Sequence, residues 1–175
     1  MGIVSSTAGH GDGNNGKGKD QKPRRNSEQP AEVSHSQTLW ILIFRGHPRD
    51  IQSTRVTELC IVFDEDEAKN LNIRIQGQYP NFRVEERWNQ APARTRPHFL
   101  RRLAVATVET PSDLDLQLRD AILSTPVNNT EPDFTCQGWV GDVVTSLQDA
   151  RVITVEEGDN ALNGMVNYIA RAPWQ

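Results

Sequence analysis

The chain has 175 residues, 36% hydrophobic and 24% charged, a length and composition that suit one domain of ordinary size plus a tail rather than two domains. Its formal charge is −4, and because the first 31 residues carry five basic side chains against three acidic ones, residues 32–175 hold −6. A folded part this acidic argues against a nucleic-acid-binding surface.

Residues 1–31 are rich in Gly, Ser, Asn, Lys and Gln, with only Ile3 and Val4 as sizeable apolar side chains. Such a segment buries too little surface to offset its ordering entropy, so a disordered N-terminal tail is expected, followed by a single α+β domain over 32–175. The tail opens Met1-Gly2-Ile3-Val4-Ser5-Ser6, a short match to the N-myristoylation pattern on Gly2. One acyl chain anchors weakly, and the basic residues from Lys17 to Arg25 supply a second, electrostatic signal for peripheral membrane contact. The longest apolar run is only Leu39–Phe44, well short of the ~20 residues of a membrane span, and no secretory leader is evident, so the expected location is cytoplasmic or membrane-peripheral. In that compartment Cys60 and Cys136 are expected as free thiols.

From residue 38 the pattern becomes extended. Thr38–Phe44 is apolar on both faces, as in a buried central strand, and Gly46-His47-Pro48 ends it. A second strand runs from Arg55 to Phe63, with Cys60 in its core, and the acidic run Asp64–Glu67 reads as a solvated hairpin turn rather than a cation loop, which needs spaced ligands and a Gly. Leu71–Ile75 and Asn81–Trp88 give two shorter strands, residues 89–98 a proline-containing loop, and Arg102–Glu109 a last strand. Thr110-Pro111-Ser112-Asp113 reads as the capped start of a helix with Leu114, Leu118, Ala121 and Ile122 on one stripe. The next helix carries Cys136, Trp139, Val140, Val143, Val144 and Leu147 at helical spacing, and Thr154-Val155-Glu156-Glu157 forms a capping box for a final helix with Leu162, Met165, Val166 and Ile169. Strands first and helices last predict an α+β domain with an antiparallel sheet of four to five strands and about three C-terminal helices.

Cys136 is the one side chain set for covalent chemistry. In the first turn of its helix, behind Thr135 and Asp133 as potential caps, it sits where unpaired N–H groups favour a thiolate and offer oxyanion donors. On the same stripe it also reads as a small buried hydrophobe, the commoner role of a free cysteine. A nucleophile needs a base within about 2.6–3.2 Å. The bases on offer are His35 before the first strand, His47 after it and His98 before the last, none singled out by spacing.

The order of a strand bearing Trp40-Ile41-Leu42, a meander of strands, a helix ending in Thr125-Pro126-Val127 and a Phe134-Thr135-Cys136-Gln137-Gly138-Trp139-Val140 helix resembles a group of small uncharacterised fungal proteins. Through them it is similar to the circularly permuted papain-like superfamily, in the branch of lecithin retinol acyltransferase-like thiol hydrolases. The resemblance spans 38 to about 152. It implies a papain-like fold with Cys136 as nucleophile, and it places the family's histidine on Leu39 and the asparagine before the cysteine on Thr135. The usual dyad is therefore broken. Three functions follow as expectations: a non-catalytic papain-like binding or accessory module, a thiol hydrolase or acyltransferase using Cys136 with a displaced histidine, or a myristoylated membrane-peripheral scaffold. No cofactor and no metal are expected, and no partner is named by the sequence.

Overall fold

The computed structural model describes residues 34–173; the tail through residue 31, Gly2 and Trp174 lie outside the described residues. The apolar run becomes β1 (His35–Phe44), an interior strand of a five-stranded antiparallel sheet ordered β4-β3-β2-β1-β5. The others are β2 (Val56–Phe63), β3 (Asp66–Gln76), β4 (Arg83–Trp88) and β5 (Phe99–Thr110). β1 is apolar on both faces because both are covered. Leu39, Ile41 and Ile43 face one core, and Leu42 and Phe44 face a second, smaller one.

Three helices follow and pack on the first face: α1 (Gln117–Leu123), α2 (Cys136–Asp149) and α3 (Val155–Ile169). The stripe of α2 buries Trp139, Val140, Val143 and Val144 completely; burying a side chain of that size contributes roughly 1.5–3 kcal/mol. α3 begins at the expected capping box, with the Thr154 hydroxyl accepting from the Glu157 N–H at 3.2 Å and the Glu157 carboxylate accepting from the Thr154 N–H at 2.8 Å. Among the described residues no helix is long and apolar enough to cross a membrane.

The elements differ from the sequence pattern in three places. The acidic hairpin turn is tighter than the four-residue run: Asp64 and Glu65 alone turn, both at positive φ as a two-residue hairpin requires, while Asp66 and Glu67 open β3. The helix expected from Thr110 does not start there, since β5 stays paired with β1 as far as Thr110 opposite His35. α1 therefore begins only at Gln117 and leaves Leu114 65% exposed. On α3 the buried stripe runs through Ala161, Met165 and Ile169, and Val166 points to solvent.

The second face of the sheet is covered by loop 89–98 instead of helices. Leu42, Phe44, Cys60 and Val62 form its small core, closed by Ala93 and Phe99. Arg96 reaches from the loop to pair with Glu58, a carboxylate 2% exposed, and also donates to Asn72 at 3.1 Å while lying over the Phe44 ring. Asn70 fastens the start of the same loop, donating to the Gln90 carbonyl at 2.9 Å and accepting from the Gln90 N–H at 3.1 Å. β5 is the outer strand beyond β1, and its register slips twice, between the partners Leu39/Trp40 and Ile43/Phe44, so it carries two bulges.

Candidate functional site

Cys136 occupies the first turn of α2, as its sequence context indicates. Thr135 is the N-cap, in extended backbone, and its hydroxyl accepts from the Gly138 N–H at 3.3 Å. The turn rests on the start of β2. The Cys136 sulfur accepts from the Thr57 N–H at 3.5 Å and its S–H faces the Arg55 carbonyl at 3.9 Å. Gln137 is spent on the same backbone, with its side-chain amide donating to the Gln52 carbonyl at 2.8 Å and to that of Arg55 at 2.9 Å.

The floor of this site is held rigidly from below. Arg55 is 8% exposed, and it donates twice to Asp50, at 3.0 and 3.1 Å, and once to the Tyr168 carbonyl at 2.7 Å. That fork keeps the Asp50 carboxyl below the usual carboxylate range, chiefly through the Arg55 hydrogen bond. Thr57 is fully buried, and its hydroxyl has no hydrogen-bond partner among the described residues.

Among the described residues, the histidines leave the thiol without a hydrogen bond to an imidazole. His35 lies at the other end of β1, where its ring bonds Asp64 at 3.0 Å. Thr57 is paired with Ile43, eight residues further along β1, which is about 26 Å at the rise of an extended strand. His98 precedes β5, on the opposite side of β1 from β2, and its carbonyl accepts from the Arg45 N–H at 2.8 Å. His47 stands exposed in the loop after β1, at the same end of the sheet as Cys136.

Leu39, where the family resemblance places the base, is fully buried between Ile61 and Ala106. It sits four residues from Ile43, about 13 Å along the strand from the level of the sulfur. Cys60 is core: burial, with the Glu58 charge second, pushes its thiol up to about 12, so it stays protonated at neutral pH.

Features that the sequence reading passed over lie on the loop-covered face. Trp40, Leu42, Cys60, Asn70, Asn72 and Pro92 line a cavity of about 20 Å³ there, which holds little more than one water. Beside it Arg94, Arg101 and Arg102 line an open cavity of about 270 Å³ together with Glu67. Arg102 donates to Glu67 at 2.7 Å and lies 4.4 Å above the Trp40 ring, and Arg94 approaches the same carboxylate at 3.5 Å. Trp88, by contrast, is partly exposed but stacks on Phe63, closing the end of the main core. Comparison with known proteins found no matching family model, no similar curated protein and no similar solved structure.

Proposed function

We propose that this chain is a binding or accessory module of papain-like ancestry that does no thiol chemistry. The observation that carries this is the engagement of the Cys136 sulfur with the backbone of β2, where a catalytic thiol would face an imidazole. A nucleophile without a base forgoes the 10²–10⁴-fold that general base catalysis typically contributes. The papain-like ancestry is supported by the chain order, a meander sheet followed by a cysteine-led helix laid on one face. Leu39 reinforces the loss of activity. Even a histidine restored there would start four residues from the partner of Thr57.

The test is alkylation of the native chain by iodoacetamide at neutral pH, followed by peptide mass analysis. Cys136 is expected to react more slowly than free glutathione, at a rate unchanged by His35→Ala, His47→Ala or His98→Ala. Fast alkylation abolished by one of these substitutions overturns the proposal and identifies the displaced base of a thiol hydrolase or acyltransferase; His47, on the Cys136 end of the sheet, is the position to watch.

A further inference from the structure

We infer that the outer edge of β4 is a docking surface for a second copy of this chain, joined strand to strand about a two-fold axis at Glu86. It rests on β4 and not on the Cys136 turn, so it stands whether or not that thiol is reactive.

The backbone decides which groups are on offer. Along an antiparallel strand the peptide groups of successive residues turn alternately to one side and the other. The Asn89 N–H donates to the Asn70 carbonyl at 2.7 Å, continuing the β3–β4 register by one residue. Arg83, Glu85 and Arg87 therefore turn their peptide groups to β3, and Val84, Glu86 and Trp88 turn theirs outward. Both ends of the edge keep this phase. Phe82 points its N–H and carbonyl outward, where the Asn129 side chain binds them at 2.8 and 3.0 Å, and the Trp88 carbonyl accepts from the Gln90 side chain at 2.9 Å. Between these covers no strand lies beside β4 among the described residues.

The side chains select the occupant. Centred on Glu86, an antiparallel pairing with an identical strand sets Glu85 of each copy opposite Arg87 of the other. These lie on the face where Glu85 already pairs with Arg74 and Arg87. On the helix-covered face the same pairing sets Val84 opposite Trp88, which is 42% exposed. Centring on Glu85 instead opposes Glu85 to itself and Arg83 to Arg87, and centring on Arg87 opposes Arg87 to itself, so both stack like charges. At the Glu86 axis two carboxylates meet, but each already accepts twice from its own Arg119, at 2.5 and 2.7 Å. Each copy donates three N–H groups, from Val84, Glu86 and Trp88, and the bonds to the Trp88 carbonyls displace the exposed Gln90 side chains. β5, the other edge, offers no such even row because of its two bulges. An edge this short buries less than a standard interface, so the dimer is a transient one, of micromolar or weaker affinity.

Sedimentation velocity of the full chain, from micromolar to millimolar concentration at low ionic strength, tests the edge. A reversible monomer–dimer equilibrium is expected. Glu85→Arg and Arg87→Glu, taken singly, each make both cross-strand pairs repulsive and should weaken the dimer at least about tenfold. Mixing the two variants in equal amounts sets opposite charges at both pairs again, and association should return to within about threefold of the wild type. In the wild type, hydrogen exchange at the Val84, Glu86 and Trp88 amides should slow as concentration rises, a readout that needs no variant to fold. A chain monomeric at millimolar concentration, a dimer untouched by either charge reversal, a mixture that stays monomeric, or exchange at these amides that ignores concentration overturns the inference.

Discussion

Replacing Arg96 by Met exposes the energetics of the loop-covered face. Glu58 is 2% exposed and Arg96 17%, and their pair is the only charge neutralisation the Glu58 carboxylate has among the described residues. Removing the guanidinium leaves a buried, uncompensated charge, which costs about 3–5 kcal/mol. It also takes a donor from Asn72 Oδ1, worth about 1 kcal/mol. For a domain of this size the loss corresponds to roughly 10 °C or more in melting temperature. Replacing both partners, as in Glu58→Leu/Arg96→Met, removes the charge along with its counter-ion, and that double variant is expected within about 2 kcal/mol of the wild type. Urea unfolding of the four members of the cycle measures the coupling. A loss below about 1 kcal/mol for Arg96→Met, or a double variant as unstable as the two single losses added, refutes the account of the pair as a mutually compensating buried unit.

Three further outcomes are expected. Thr57→Val should be neutral or stabilising by up to about 1 kcal/mol, because it deletes a buried hydroxyl that has no partner among the described residues while keeping the β-branched shape; a clear loss in urea midpoint would mean that the hydroxyl is hydrogen-bonded in solution. Glu157 is held below its ordinary value of 4.5 by the Thr154 N–H and then by the Thr154 hydroxyl. A lowered folded value means stability that is fully present above 4.5 and lost as pH falls through the folded value. Glu157→Gln should therefore flatten the acid side of the stability profile, and an unchanged difference between neutral and acid urea midpoints would contradict it. Gly77 turns from β3 towards β4 at φ +115° with its Cα facing the Asn81 carbonyl, so Gly77→Ala should lower stability by about 1–3 kcal/mol in thermal melts, and an unshifted melt would show that the turn relaxes.

The parts of the fold that could be read from the sequence are those where one local signal decides the outcome. Leu39–Phe44 had to be covered on both faces, and the spacing from Trp139 to Leu147 had to point at a core. The α1 boundary was not legible, because Thr110-Pro111 is a good helix start that loses to a partner 75 residues away, the ladder of β5 on β1. The cysteine was legible as the head of a helix but not in its surroundings. Whether His35, His47 or His98 reaches it depends on strand order, and the order β2-β1-β5 puts His98 across β1 while antiparallel pairing sends His35 to the far end. The same long-range pairing brings Arg94 from a loop and Arg102 from one strand to Glu67 on another, which no local pattern predicts. Glu58 in an apolar strand was the one anomaly from which the Arg96 clasp could have been suspected.

The two bulges in β5 bear on how the molecule behaves in a crowd. At twelve residues β5 is the longest strand, and its outer edge is a row of peptide groups with no strand beside it among the described residues. A straight edge of that length is a template on which a second chain can grow, the first step of a cross-β assembly. Each bulge breaks the even spacing of donors and acceptors and adds local twist, so an incoming strand meets three short stretches out of phase with one another and no continuous one. Irregular pairing with β1 on the inside thus makes the outer edge a poor template for a second strand.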